Sequence, residues 1–182
     1  MTFKRWLPTF LAFPIGGYLA IQALGGVEGP ASAAAGGLIA GAVIGAGQWL
    51  ALRRRGIGPA WIAVTATATA AGAALAATLT GAGTDVADAM LAGMVTGAAV
   101  GAAQSGLLAH GARARAAWTG VTAAGWSLGW LATSQVIVDM DRGHHMFGSS
   151  GALIVTVLTG LVLRRVLGAR GPAPVATPAV SA

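Results

Sequence analysis

The sequence predicts an all-α integral membrane protein with six transmembrane helices, on three observations. Apolar residues make up 55% of the 182 positions and charged residues only 9%, with a mean hydropathy of +0.73. A soluble domain carries about 25% charged residues, and a disordered chain is poor in hydrophobes and rich in charge. Second, the charged residues leave six stretches free of Asp, Glu, Lys and Arg: 7–27, 29–52, 56–84, 89–112, 116–138 and 143–163. At about 1.5 Å per residue, roughly 20 residues cross the hydrocarbon core, so each stretch is long enough for one helix and too short for two. Third, the basic residues alternate with the stretches, as topology requires.

The first span is expected over 7–27, behind Lys4 and Arg5. Ala31-Ser32-Ala33 imitates a secretory cleavage site, but the run from Trp6 to Val27 exceeds a signal h-region of about 7–15 residues, so an uncleaved helix is expected. The second span, 31–52, ends at Arg53, Arg54 and Arg55. The third, 59–82, and the fourth, 88–109, are followed by Arg113 and Arg115. The fifth covers 116–138 and the sixth 147–166, with Arg164, Arg165 and Arg170 at its end. Six crossings place those ten cations on one side. The other side receives Arg142 and all the acidic residues: Glu28, Asp85, Asp88, Asp139 and Asp141. By the positive-inside rule both termini are cytoplasmic. Residues 169–182, with three prolines, read as a flexible cytoplasmic tail. The basic balance is thus a topology signal; the partner expected is the lipid bilayer, with no nucleic acid.

An internal repeat is visible. Gly37, Gly41, Gly45 and Gln48 of the second span return at Gly93, Gly97, Gly101 and Gln104 of the fourth, always 56 residues on. Trp61 precedes Gly72 by eleven residues, as Trp118 precedes Gly129 and Trp6 precedes Gly17. The sixth span echoes the second at an offset of 111, with Gly148, Ala152, Thr156 and Thr159 standing where Gly37, Gly41, Gly45 and Gln48 stand. The expected architecture is three helical hairpins (sixth with first, second with third, fourth with fifth) around a pseudo-threefold axis along the membrane normal. Glycines at every fourth position let helices approach closely, which in lipid replaces the hydrophobic drive. The glycine helices are expected to be central and the tryptophan helices peripheral, with Trp6, Trp61, Trp118 and Trp49 forming a cytoplasmic-side aromatic belt. The third span, rich in Ala and carrying Thr65, Thr67 and Thr69, is expected to need neighbours on several sides.

The stretch from Gly41 to Trp61 carries G-x-x-x-G, Gln48-Trp49-Leu50, a basic turn and a Trp opening the next helix. Over roughly 36–137 this resembles small multi-pass bacterial membrane proteins of unknown function with tandem G-x-x-x-G-x-x-Q-W-x-x-L-R hairpins. The second copy departs from the pattern, with Ser105 in place of Trp and His110 and Arg113 in the turn. The resemblance implies no activity. Ten Arg to one Lys suggests a GC-rich bacterial genome, and hence a bacterial inner membrane.

Gln48, Gln104 and Thr159 are candidates for a polar ring on the axis that meets a small solute; the competing reading is interhelical hydrogen bonding that fixes packing, about 0.6 and at most roughly 2 kcal/mol per bond. Trp126 and Trp130, one turn apart near mid-membrane, are candidates for contact with a lipid or pigment, or else packing bulk. Asp139, Asp141, His144 and His145 in the last outer loop offer oxygen and nitrogen ligands for a divalent metal, against a hydrated loop with Asp–Arg pairing. The chain has no Cys, and Asp, Glu, Lys and Arg fall only at the ends of spans and not within them, so proton-coupled transport and catalysis are not expected. No cofactor is required. The expected function is a structural or accessory subunit of a membrane complex, in a homo-oligomer or with other membrane subunits; the alternative is a passive channel for a small, weakly charged solute.

Overall fold

A computed structural model of the chain describes residues 3–108, 111–136 and 147–168. Among these, six long helices follow one another: α1 (Phe3–Leu24), α2 (Pro30–Leu52), α3 (Ala60–Thr80), α4 (Val86–Leu108), α5 (Ala112–Ser134) and α6 (Ser149–Gly168). Five of them are long and apolar enough to cross a membrane. The exception is α5, which is as long as α4 but begins on Arg113 and Arg115 and is interrupted by Thr, Ser, Gly and Trp. The sequence expectation of six apolar spans is therefore met there by length and not by hydropathy.

Helix ends follow local chemistry. Gly25, Gly56 and Gly81 adopt φ of +77°, +78° and +62°, which stops α1 at Leu24 and α3 at Thr80, short of the expected 27 and 82. At the start of α2, Ser32 Oγ accepts the N–H groups of Glu28 (2.9 Å) and Gly29 (3.1 Å), so the apparent cleavage motif sits in a capped first turn. Asp85 caps α4, its Oδ1 accepting the Asp88 N–H at 2.8 Å. The carboxylates at this end thus sit beside the positive pole of a helix dipole.

The helices form a closed, antiparallel up-and-down ring, each packed on its chain neighbours and α6 on α1. Neither the glycine helices nor the tryptophan helices are central, contrary to expectation. What distinguishes them is which seam they close. A Cβ added to Gly37, Gly41 or Gly45 would lie 2.7–3.0 Å from Thr69 or Ile62 of α3. One added to Gly97 or Gly101 would lie 2.7–2.8 Å from Thr122 or Thr119 of α5, and at Gly93 it would lie 2.7 Å from the Trp126 carbonyl. Both glycine faces therefore receive the backbone of the next helix in contact, which no other residue permits.

In the α1–α2, α3–α4 and α5–α6 seams a glycine of the odd helix meets the backbone of the next helix. Gly72 faces Thr96 Cα at 2.8 Å, and Gly129 faces the Gly151 carbonyl at 3.0 Å. In α1 the corresponding residue is Gly16, 2.9 Å from the Ala40 carbonyl, and not the Gly17 that sequence spacing selects. The cause is the 3-10 segment Leu7–Leu11 within α1. At 3.0 instead of 3.6 residues per turn, each of its residues turns about 20° further, so five accumulate about 100°, one α-helical residue.

Helix α3 has the neighbours its composition requires. Thr65 and Thr69 are buried between α2 and α4, and their hydroxyls donate to the Trp61 and Thr65 carbonyls, both at 2.7 Å. Exposed Thr67 likewise donates to the Ala63 carbonyl at 2.9 Å. Back-bonding of this kind hides the hydroxyl in its own helix.

Candidate functional site

Two layers cross the ring near the end where α1 begins and α6 finishes. The outer one contains Trp6, Trp61 and Trp118 with Leu52, Leu108 and Leu163, all 0–1% exposed. Trp118 meets Trp6 and Trp61 edge-on, with ring centroids 6.4 Å apart in both pairs. These three indoles are bundle core, and the expected belt is corrected: of its four members only Trp49 is at the periphery. Trp49 donates Nε1–H to the Ile57 carbonyl (3.2 Å), and the Arg53 guanidinium stands 6.0 Å from its ring.

A buried indole needs an acceptor for its N–H, and the adjacent layer supplies one per hairpin. Trp61 Nε1 donates to Gln48 Oε1 at 3.1 Å, and Trp118 Nε1 to Gln104 Oε1 at 3.2 Å. Trp6 Nε1 is shared between the Thr156 carbonyl (3.0 Å) and Thr159 Oγ1 (3.2 Å), because the shorter threonine leaves it within reach of the backbone. Gln104 Nε2 then donates to Gln48 Oε1 at 3.0 Å and Thr65 Oγ1 at 2.9 Å. Gln48, Gln104 and Thr159 are 6%, 1% and 3% exposed.

The three polar residues share this layer without closing into a ring. Among the described residues Thr159 donates to the Val155 and Thr156 carbonyls and accepts from Trp6, with no bond to either glutamine. The Trp–Gln pairing had a sequence signal: Gln48 to Trp61 and Gln104 to Trp118 span 13 and 14 residues across a tight antiparallel turn, which sets them at one height. Ile44, Val100 and Val155, buried and spaced by 56 and 55 residues, form the next layer.

Beyond it lies an apolar cavity of about 180 Å³. Phe13, Ile44, Thr69, Thr96, Trp126, Trp130 and Phe147 surround its deep part, and it reaches the far end of the ring at Leu24–Val27 and Thr80–Gly83. Among the described residues no ionisable side chain lines it. Phe13 lies 5.6 Å from Trp126 and 5.5 Å from Phe147, and Trp130 lies 5.1 Å from Phe147, measured between ring centroids. Trp126 and Trp130 therefore face the interior of the ring; Trp126 is 7% exposed. Phe13 and Phe147 are the members that sequence reading missed, since a lone Phe in an apolar span carries no signal of the face it occupies.

Asp139, Asp141, His144 and His145 lie outside the described residues, as does His110; among the described residues no cluster of His, Cys, Asp or Glu could hold a metal ion. The chain matches no family model, no curated protein and no solved structure.

Proposed function

We propose that the chain is a six-span integral membrane protein of the bacterial inner membrane, built from three repeated hairpins with both termini cytoplasmic. In this reading it acts as a non-enzymatic structural or accessory subunit whose cavity receives an apolar group from a lipid or pigment. Membrane insertion is supported by the ring's outer surface, where Leu11, Ile15, Tyr18, Leu38, Leu75, Leu79 and Leu161 are 47–58% exposed on four helices. Water does not tolerate apolar surface of that extent on a monomer. The repeat is supported by recurrence of whole contacts, Gly16 on Ala40, Gly72 on Thr96 and Gly129 on Gly151, and of the Trp–Gln and Trp–Thr pairs.

The observation that carries the functional reading is the cavity between Phe13, Trp126, Trp130 and Phe147. Apolar cavities of about 150 Å³ stay dry and admit a benzene-sized group. At about 180 Å³ this one accepts a ring or the end of an acyl or isoprenoid chain, with the rest of the ligand outside. The channel reading has less support. Gln48 Oε1, Gln104 and Thr159 are engaged by tryptophan N–H groups, by the Gln48–Gln104 bond and, for Thr159, by backbone carbonyls, and the Trp–Leu layer beside them is 0–1% exposed.

The test is gentle extraction from the native membrane, followed by intact-mass analysis and an absorption spectrum of the same sample. A co-purifying partner, lipid or pigment that is lost in Ala92→Phe, which fills the cavity wall, is the expected result. A ligand-free, colourless homo-oligomer whose liposomes pass small solutes would replace this reading with the channel.

A further inference from the structure

A second concavity lies at the opposite, basic end of the ring, in the seam between α1 and α2. Its volume is about 520 Å³, and Lys4, Arg5, Pro8, Thr9, Gly47, Leu50, Arg53 and Arg54 line it. The seam closes at Gly47, where an added Cβ would stand 2.9 Å from Ala12 Cβ. Towards the basic end α1 leaves α2, because its first turn packs on α6: Trp6 bonds Thr156 and Thr159, and both Phe3 and Trp6 lie against Gly160. The 3-10 segment with Pro8 makes this change of direction. A wedge opens between the two helices, with two cations on each side.

Three features of the wedge point to a ligand. Lys4, Arg5, Arg53 and Arg54 are all exposed, and the described carboxylates, Glu28, Asp85 and Asp88, stand at the other end of the ring. The Arg53 guanidinium stands 6.0 Å from the Trp49 ring, at the reach of a cation–π contact, beside the wedge. Below the cations the rim is apolar, with Leu50 55% exposed.

We infer that this wedge binds the headgroup phosphate of an anionic phospholipid, its acyl chains running down the α1–α2 seam past Leu50. Basic pockets between membrane helices on the cytoplasmic side suit such headgroups, each nearby cation contributing about 1 kcal/mol. The inference rests on the membrane reading above, and its test separates the two.

The full chain is reconstituted into vesicles of phosphatidylcholine with and without phosphatidylglycerol, checked for insertion by flotation after alkaline wash, and then released for native mass spectrometry. Failure to float with the vesicles overturns the membrane reading itself. Inserted protein is expected to retain phosphatidylglycerol in preference to phosphatidylcholine. Loss of one cation should weaken retention about fivefold, and Arg5→Gln with Arg53→Gln and Arg54→Gln together roughly a hundredfold. The control set Arg113→Gln, Arg164→Gln and Arg165→Gln removes equal charge at the same end and should leave retention within about twofold. Equal losses in both sets would mean diffuse attraction to the surface, and the site would be abandoned. Full displacement by millimolar inorganic phosphate would likewise overturn it in favour of a free-anion site.

Discussion

Gln104 donates its side-chain N–H to Gln48 Oε1 at 3.0 Å, joining two residues 56 positions apart in the chain. Each of the pair also accepts the indole N–H of the tryptophan that opens the following helix. The bond runs directly between α2 and α4, which are not neighbours in the ring, and so ties two hairpins together across its interior. Gln104 is the hub, with bonds to Gln48, Thr65 and Trp118.

Gln104→Leu removes three hydrogen bonds and leaves the Trp118 N–H buried without an acceptor. An orphaned buried donor costs about 1–3 kcal/mol. We expect a loss of that order in thermal or denaturant unfolding, against no loss, or a small gain, for Thr156→Val. The Thr156 hydroxyl is buried and has no partner among the described residues, so its removal takes away a desolvated group and leaves the shape unchanged. Equal effects of the two substitutions would refute the assignment of Gln104 as the hub.

The burial of Trp6, Trp61 and Trp118 has a spectroscopic consequence. In a variant keeping only these three tryptophans, emission is expected to be blue-shifted and weakly quenched both by acrylamide and by brominated lipids. A residue in an interfacial belt would be quenched strongly by lipids brominated near the headgroup. That measurement decides between core and belt without any assumption about function.

Gly97→Ala and Gly106→Ala lie in one helix and differ only in what the new methyl meets. At Gly97 it would be 2.7 Å from the Thr122 carbonyl; at Gly106 nothing stands within 4 Å. Overpacking costs about 1–3 kcal/mol, whereas relief of glycine in a helix gains roughly 0.5–1 kcal/mol. Opposite signs are therefore expected in unfolding measurements on the two variants. Gly16→Ala, which meets the Ala40 carbonyl at 2.9 Å, is expected to lose stability as Gly97→Ala does.

Much of this protein is legible in its residues alone. The helix count follows from six charge-free stretches, because a helix that buries its backbone bonds needs about 20 residues and tolerates few charges in apolar surroundings. Gly37, Gly41, Gly45 and Gln48 match Gly93, Gly97, Gly101 and Gln104 at a constant 56-residue offset, and both glycine sets meet the helix that follows them. Which way a side chain faces is another matter. In an all-apolar helix hydrophobicity has no direction, so a Trp beside a basic loop reads as interfacial even when a glutamine on the neighbouring helix holds its N–H inside. Tertiary structure alone decided that Trp6, Trp61 and Trp118 close the ring, that Phe13 and Phe147 meet Trp126 around a cavity, and that five 3-10 residues turn Gly16 and not Gly17 onto α2. Each of these depends on rotation about a helix axis, and rotation is set by the partner across the seam.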